Sequence, residues 1–242
     1  MPAASDPTRF ILIGTSHPGN VGAAARAMKV MGFSDLVLVA PRFDDVQHHP
    51  DAHAMASGAG DVLSSARVVP TFAAALDGMT LACATAMTPR DFGPPTRAPR
   101  EVFVELAAGA DRVAFVFGSE RFGMSNDDVY RCNVCLSIPT MPAYGSLNLA
   151  QAVQLLAYDW RQALGGFAVE ARAVEAGRAD LVAVQGVLDH WQQTLAGIGF
   201  LDPAVPRKLM PRLQRLLNRA CLTEEEVHIL RGIARAVDRS QR

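Results

Sequence analysis

Short apolar runs alternate with helical stretches through the first two thirds of the chain, and this alternation constrains the fold more than any other feature. The apolar runs lie at 10–14, 35–41, 80–87 and 113–120. Runs of this length suit buried strands. Between them lie alanine-rich segments typical of helices. This order predicts an α/β fold with a mostly parallel sheet covered by helices on both faces.

The last third of the chain has a different pattern, in which a segment typical of a linker is followed by three helical stretches. We predict an α/β domain over residues 1–165, a linker over 166–179 and a helical extension over 180–242. The three predicted helices of the extension lie near 180–197, 206–220 and 223–239. Thr223 and Glu226 carry the signature of a capping box at the start of the last one.

The composition excludes several classes of protein. Half of the 242 residues are hydrophobic and 19% are charged, which excludes global disorder. No run approaches the roughly 18–20 apolar residues of a membrane span, and the first residues lack the pattern of a secretory signal. Four cysteines are too few for a disulfide scaffold of this size. We therefore expect a cytoplasmic protein without a membrane partner.

The net charge of −1 hides an uneven distribution. Residues 206–242 contain 9 Lys+Arg and 4 Asp+Glu, a balance of +5, whereas residues 1–160 contain 11 and 15, a balance of −4. The basic end is either a contact for a polyanion or a solvated helix surface, and charge alone does not decide between them.

A glycine-rich loop follows the first predicted strand. Its spacing fits neither a Walker A loop, because Asn20 stands in place of the lysine, nor the full Rossmann fingerprint. The backbone N–H groups of such a strand-to-helix turn can still face an anion. Arg26 follows in the first turns of the helix, as either a surface arginine or a site residue.

Two further polar clusters follow the strand at 113–120 and precede a long predicted helix. The first contains Glu120 and Arg121, as a structural ion pair or as part of a site, since ligands of open α/β sheets bind beyond the carboxyl ends of strands. The second contains Ser146 and Asn148 before a helix whose N-terminal N–H groups are free donors, and ordinary capping by either side chain is the alternative to a site. The pair Cys132 and Cys135 lacks the partners of a zinc site, so we expect no metal.

Taken in order, the three clusters resemble the three motifs of the SpoU class of SPOUT RNA methyltransferases. The resemblance rests on Asn20, Gly22 and Arg26, then Gly118, Glu120, Arg121 and Gly123, then Ser146, Asn148 and Ala150. The opening SHPGNVGAAARAMKVMGF and the later QQTLAGIGFLD and HILRGIA resemble the TrmJ-type branch, which 2'-O-methylates nucleotide 32 of tRNA. The resemblance covers nearly the whole chain.

The resemblance implies a trefoil knot at the carboxyl end of the α/β unit, a homodimer, tRNA as substrate and S-adenosylmethionine as methyl donor. The implied cofactor residues are Thr85, Ala86, Met87, Gly118, Ile138, Gly145, Ser146 and Leu147. The chain departs from the branch after Thr85, where Met87, Thr88 and Pro89 precede Arg90. A catalytically idle RNA-binding module on the same scaffold is the alternative that this departure favours.

The resemblance also implies roles for individual side chains. The implied catalytic residues are Arg26, Asn20, Glu120, Ser146 and Asn148. Arg26 acts either as the base for the ribose hydroxyl or as an anchor for the adjacent phosphate; the second suits a guanidinium better, because it stays protonated and matches phosphate geometry. Glu120 is expected to orient Arg26 or Arg121. The implied RNA contacts are Arg26, Arg121, Arg207, Lys208, Arg212, Arg215 and Arg219.

Overall fold

The computed structural model describes residues 6–86, 88–169, 177–205 and 207–241. The chain divides into two compact units, Met1–Ala168 and Val169–Arg242. Residues 170–176 of the predicted linker lie outside the described residues. None of the described helices is long and apolar enough to cross a membrane.

The first unit contains one seven-stranded sheet. Its strands are β1 (Arg9–Ile13), β2 (Asp35–Val39), β3 (Arg67–Val69), β4 (Leu81–Thr85), β5 (Thr96–Arg97), β6 (Val113–Phe117) and β7 (Val134–Leu136). The strand order is β3-β2-β1-β6-β4-β7-β5, and every pairing between these strands is parallel. The predicted parallel α/β sheet is confirmed. Sequence reasoning missed β5, because it is two residues long and lies in a segment that prolines and glycine mark as a loop.

The three helices predicted for the extension begin and end within about three residues of the observed ones. The first unit contains α1 (Pro18–Val30), α2 (Pro50–Ala56), α3 (Gly60–Ser65), α4 (Phe72–Ala75), α5 (Pro99–Ala107), α6 (Asn126–Tyr130) and α7 (Leu149–Ala163), with a 3₁₀ turn at Val46–His48. The second unit contains α8 (Leu181–Gly197), α9 (Leu209–Ala220) and α10 (Glu224–Ser240).

Both faces of the sheet are buried. Along β1, Phe10 and Leu12 face one apolar cluster and Ile11 faces the other, as the two-residue period of a strand requires. In the first cluster the ring centres of Phe10 and Phe115 lie 5.5 Å apart. Trp160 of α7 packs edge-on against Phe115, with ring centres 5.7 Å apart. Each such buried aromatic side chain stabilises the fold by roughly 1.5–3 kcal/mol. Helices therefore cover both faces of the sheet.

The strand order brings distant loops together. Because β6 lies between β1 and β4, and β7 borders β4, the loops that follow these four parallel strands leave the same edge of the sheet. In open α/β sheets this edge, where the strand order changes direction, is where ligands bind. The three motif clusters of the sequence all lie on these loops or directly after them.

In its described residues the second unit has three helices and its own small core. Val184, Val187 and Leu188 of α8 pack with Leu217 of α9 and Val227 of α10. The predicted capping box is present: the Thr223 side chain accepts a bond from the Glu226 N–H, and the Glu226 carboxylate accepts a bond from the Thr223 N–H at 2.8 Å. Asp180 caps α8 through the N–H of Ala183.

Candidate active site

The three motif clusters meet in one hydrogen-bonded relay. The side-chain Nδ2 of Asn20 donates to Glu120 Oε1 at 2.9 Å, and Asn148 Nδ2 donates to Asn20 Oδ1 at 2.9 Å. These residues are separated by 100 and 128 positions in the chain. The sheet topology brings together the groups that the sequence proposed as one site.

Glu120 is held by neutral donors. Its Oε2 accepts bonds from the backbone N–H and the hydroxyl of Ser16, both at 2.9 Å, in addition to the Asn20 bond. Partial burial by itself raises the pKa of the Glu120 carboxyl, but these hydrogen bonds outweigh it and hold the pKa below its ordinary value. The group is therefore an anion at neutral pH.

The partners of Glu120 differ from the prediction that it orients Arg26 or Arg121. Among the described residues, no lysine or arginine nitrogen lies within 4.0 Å of its carboxylate. The reason is the turn after β6, in which Ser119 and Gly123 exchange two backbone hydrogen bonds of 3.1 and 2.8 Å. This turn brings the Glu120 carboxylate to the loop after β1.

Two glycines allow the turn to close. Gly123 has φ +68°, in the left-handed region that favours glycine. A Cβ on Gly118 would lie 2.0 Å from the carbonyl carbon of Gly123, so no other residue fits at that position without moving the turn. The glycines of the second motif therefore have a steric function that does not depend on a ligand.

Asn148 serves two purposes that sequence reasoning treated as alternatives. Its Oδ1 accepts from the N–H of Ala150 at 2.9 Å and its own N–H donates to Gln151 Oε1 at 3.3 Å, which caps α7. Its Nδ2 remains available for Asn20. Capping therefore fixes the side chain in the position that completes the relay.

A cavity of about 450 Å³ opens beside this relay. All the predicted cofactor residues that the structure describes line it: Thr85, Ala86, Gly118, Ile138, Gly145, Ser146 and Leu147. Met87, the remaining one, lies outside the described residues. A volume of this size is within the range of small-molecule and cofactor sites. The assignment of these residues to a cofactor stays a prediction.

The first cofactor segment is anchored to its neighbours. The hydroxyl of Thr85 donates to the carbonyl of Val116 at 2.9 Å, and the N–H of Ala86 donates to the carbonyl of Leu136 at 3.1 Å. The departure from the family pattern begins only after these two contacts, at the residue that the structure does not describe.

Sequence reasoning missed several residues that line the same cavity. Thr88 and Arg90 follow the first segment, Phe122 lies next to Arg121, and Thr140 precedes the third motif. The position of Arg90 after the strand was the only available signal. The guanidinium of Arg121, a predicted RNA contact, lies 5.2 Å from the centre of the Phe122 ring.

Arg26 lies apart from this cavity. It is exposed on α1, and it is absent from the described residues that line the 450 Å³ cavity or a second one of about 530 Å³. The second cavity is lined by His17, Pro18, Gly19, Asn20, Asp51, Ala54, Met55 and Asn148. Asn20 and Asn148 connect it to the relay. Within one chain, the predicted catalytic arginine and the predicted cofactor residues do not share a cavity.

The basic residues of the second unit lie on and before α9. Lys208, Arg212, Arg215 and Arg219 are spaced by four, three and four positions, so they share one face of the helix. All four are exposed, as is Arg207. In the part of the chain that the structure describes, none of the five has a carboxylate within 4.0 Å.

The cysteines and histidines form no metal centre among the described residues, where no group of three His, Cys, Asp or Glu side chains converges. Cys83, Cys132 and Cys135 are buried free thiols. Burial, with a smaller contribution from Cys135, raises the pKa of Cys132 to about 12, so its reactive thiolate is scarce at neutral pH.

Comparison with known proteins gives two family matches and many relatives. Residues 7–158 match the SpoU rRNA Methylase family, and residues 182–242 match the carboxyl-terminal domain of the tRNA methyltransferase TrmJ. The tRNA (cytidine/uridine/adenosine-2'-O-)-methyltransferase TrmJ of Pseudomonas aeruginosa is 42% identical, over 94% of this chain and 92% of that protein. The Klebsiella pneumoniae tRNA (cytidine/uridine-2'-O-)-methyltransferase TrmJ is 39% identical, over 97% of each.

The solved structures agree with the sequence matches. The crystal structure of TrmJ from Z. mobilis superimposes with a TM-score of 0.81 and 31% identity, covering 95% of this chain and 98% of that one. Family matches over both units and relatives of this identity over nearly the full length lead to one conclusion. The chain belongs to the SpoU methyltransferase family, and within it to the TrmJ-type tRNA 2'-O-methyltransferases.

Proposed function

We propose that this enzyme transfers a methyl group from S-adenosylmethionine to the 2'-hydroxyl of nucleotide 32, C or U, in the anticodon loop of tRNA. The observation that supports this most is the relay of Asn20, Glu120 and Asn148 beside a cavity lined by the predicted cofactor residues. Because its substrate is tRNA, we propose that the enzyme works in the cytoplasm.

The first cavity fits the methyl donor in size and in its mixture of groups. The loops after β4, β6 and β7 supply backbone groups and small or apolar side chains, with Thr85, Gly118 and Leu147 as representatives. When bound, S-adenosylmethionine supplies an activated methyl group on its sulfonium sulfur. Calorimetry with S-adenosylmethionine separates this proposal from an idle RNA-binding module, which binds tRNA but not the donor.

Arg26 is the group that we assign to the substrate side of the reaction. A guanidinium is protonated in proteins and matches phosphate geometry, so Arg26 holds the phosphate next to the target ribose and polarises its hydroxyl. Holding a hydroxyl in line for attack supplies several kcal/mol of the barrier. The Asn20, Ser146 and Asn148 side chains provide hydrogen bonds around that position.

The separation of Arg26 from the cofactor cavity supports a homodimer in which one copy supplies Arg26 to the cavity of the other. Leu155 and Tyr158 of α7 and Met55 of α2 are exposed apolar side chains available for such an interface. Mixing an Arg26→Ala protein with a cofactor-site variant, Gly118→Val, tests this arrangement. Exchange of subunits is expected to restore part of the activity. In a mixed dimer, one of the two sites combines the unaltered Arg26 of the Gly118→Val copy with the unaltered cavity of the Arg26→Ala copy. A mixture as inactive as its components would contradict the shared site.

We also propose the trefoil knot that the family implies. Such knots are rare exceptions among proteins. The support is that β4, β6 and β7 are neighbours in the sheet while the segments following them line one cavity. A chain wound through itself at this place would hold all three cofactor segments together without a ligand.

The basic face of α9 is proposed to bind tRNA phosphates. Its four cations rise along the helix by about 4.5 to 6 Å from one to the next, since each residue adds about 1.5 Å. Contacts with phosphates fix the register of a protein on a nucleic acid without reading its sequence. The exposed side chains at Lys208, Arg212, Arg215 and Arg219 suit that role.

The target nucleotide needs a direct test, because one relative indicates a different position. A solved structure that is 25% identical over 66% of this chain, with a TM-score of 0.51, is described as giving insights into "2-OH methylation of C/U34 on tRNA". Two synthetic tRNAs, with a single 2'-deoxy nucleotide at 32 or at 34, separate the positions. We expect transfer to stop with deoxy-32 and to continue with deoxy-34. The reverse result would assign nucleotide 34.

A further inference from the structure

Ser16 makes two of the three hydrogen bonds that other described residues donate to the Glu120 carboxylate. It lies between the end of β1 at Ile13 and the start of α1 at Pro18, and both its N–H and its hydroxyl donate to Glu120 Oε2 at 2.9 Å. A lone serine in a glycine-rich loop carries no spacing signal, so sequence reasoning passed over it. The contact spans 104 positions and depends on β1 lying next to β6.

The Glu120 carboxylate determines the orientation of the side-chain amides of Asn20 and Asn148. An ionised carboxylate only accepts hydrogen bonds, so Asn20 must direct its Nδ2 toward Glu120. Its Oδ1 is then left to accept from Asn148 Nδ2, while Asn148 Oδ1 accepts from the N–H of Ala150. Each amide oxygen in the relay already has a donor. Each of the two amide nitrogens keeps one N–H that is not used in the relay, on side chains that line the second cavity.

No lysine or arginine nitrogen of the described residues lies beside the Glu120 carboxylate in place of Ser16. Within the described ranges, no lysine or arginine nitrogen lies within 4.0 Å of the Glu120 carboxylate, which is oriented by the Ser16 and Asn20 donors together with its own backbone N–H. The Glu120 carboxylate orients the Asn20 amide. Asn20 therefore cannot by itself determine which of its two amide atoms faces Glu120 and which faces Asn148. Of these two donor residues, Ser16 is the one that takes no further part in that relay.

We propose that Ser16 is a positioning residue for methyl transfer: it fixes the Glu120 carboxylate and, through it, the direction of the Asn20 and Asn148 amides. The inference rests on the proposed function and adds a residue to its site. Ser16 acts through Glu120, and its hydroxyl is the part that a substitution removes while the backbone N–H remains.

The first experiment compares Ser16→Ala with Ser16→Thr and with a control at the next residue, Thr15→Val. Loss of a hydrogen bond to a charged group is expected to lower kcat about tenfold, with the KM for S-adenosylmethionine within about twofold of the wild type. Ser16→Thr keeps the hydroxyl and is expected to recover most of kcat. Thr15 is buried, and its hydroxyl has no hydrogen-bond partner among the described groups, so Thr15→Val removes a hydroxyl outside the relay.

A double-mutant cycle shows whether Ser16 acts through Glu120. In a Glu120→Gln background the Ser16→Ala change is expected to lower kcat less than about twofold further, because the group it positions has already been altered. An equal tenfold loss in both backgrounds would overturn the proposal, since Ser16 would then act by another route.

A readout independent of activity completes the test. In protein labelled with ¹³C-glutamate, the Glu120 carboxyl is assigned from the spectrum of Glu120→Gln and titrated by NMR. Removing the Ser16 hydroxyl is expected to raise the pKa of Glu120, and an unchanged titration would sink the proposal. A wild-type protein that methylates no tRNA contradicts the proposed function instead, while the titration still decides whether Ser16 holds Glu120.

Discussion

The two units of the molecule use their positive charges differently. In the sheet unit, Arg9, Lys29, Arg67, Arg97, Arg100 and Arg161 each lie within 4.0 Å of a carboxylate. In the described part of the helical unit, no lysine or arginine does so; its one carboxylate pair involves His190 and Asp238. Six cations of the sheet unit therefore help to hold its own elements together through carboxylates, whereas in the helical unit Arg231 contacts α8 through the carbonyl of Ala183 at 3.4 Å.

The sheet unit itself contains both cations with a carboxylate partner and cations without one. Arg26 and Arg121 are exposed and have no carboxylate within 4.0 Å among the described residues, unlike the six paired cations. Both were proposed as RNA contacts from the motifs alone. Lack of an ion pair does not by itself mark an RNA contact, because four other cations of the sheet unit also have no carboxylate within 4.0 Å among the described residues: Arg42, Arg90, Arg112 and Arg131.

Replacing a paired, buried cation gives the largest expected effect. Arg9 is 6% exposed and donates to Asp35, to the Ala75 carbonyl at 2.8 Å and to the Asp77 carbonyl at 2.7 Å. Breaking such a buried pair costs about 3 kcal/mol, so Arg9→Leu should lower the free energy of unfolding in urea by about that amount. The matched change Arg215→Leu on α9 is expected to alter it by less than about 0.5 kcal/mol. Equal losses of unfolding free energy in the two variants would contradict the difference between the paired cation of the sheet unit and the exposed cation of α9.

Arg26→Ala is expected to lower methyl transfer at least about a hundredfold, because misplacing a reacting group has effects of that size. The affinity for S-adenosylmethionine, measured by calorimetry, should stay within about twofold, since Arg26 is proposed to hold the substrate phosphate and is not one of the residues proposed to bind the methyl donor. The free energy of unfolding should be unchanged. Activity that survives the substitution would show that this unpaired cation has no function in the reaction.

Neutralising the basic face of α9 tests the helical unit. The triple variant Arg212→Gln, Arg215→Gln and Arg219→Gln should weaken tRNA binding about tenfold or more and reduce the slope of log K against log salt by about 2. The control is Arg100→Gln, whose guanidinium lies 3.0 Å from Asp159 in the sheet unit. A slope that changes as much in the control as in the triple variant would contradict the distinction between paired and unpaired cations.

The smallest expected effect concerns the one carboxylate of the relay. Because its hydrogen bonds lower the pKa of Glu120, the anion stabilises the folded state above the ordinary glutamate value of about 4.3, and this contribution is lost as pH falls through the lowered folded value. Glu120→Gln lacks that contribution. Solvent screening keeps it to about 1 kcal/mol or less. Urea unfolding from pH 7 to pH 3 should show the two proteins converging in stability; a constant difference would exclude the anion as its source.

The sequence predicted which residues form the site better than it predicted which of them contact one another. Asn20, Glu120 and Asn148 were identified because, taken in order, their motifs resemble those of a known family; singly, each signal also suited a structural role. The partners of Glu120 were not predictable in the same way: whether it meets Arg26 or Ser16 depends on which strands are neighbours and on the geometry of one turn. Strand β5 was missed because a two-residue strand has no hydrophobic period to detect.

Gly22 has a consequence for any survey of variants of this protein. A Cβ at this position would lie 1.9 Å from the carbonyl oxygen of Ala52 in α2, so every replacement forces α1 to shift. Arg26 is carried one turn further along the same helix. A saturation screen scored by methyl transfer would therefore rank Gly22 beside the proposed catalytic residues, although its effect is transmitted through the backbone and it is not among the described residues that line either cavity.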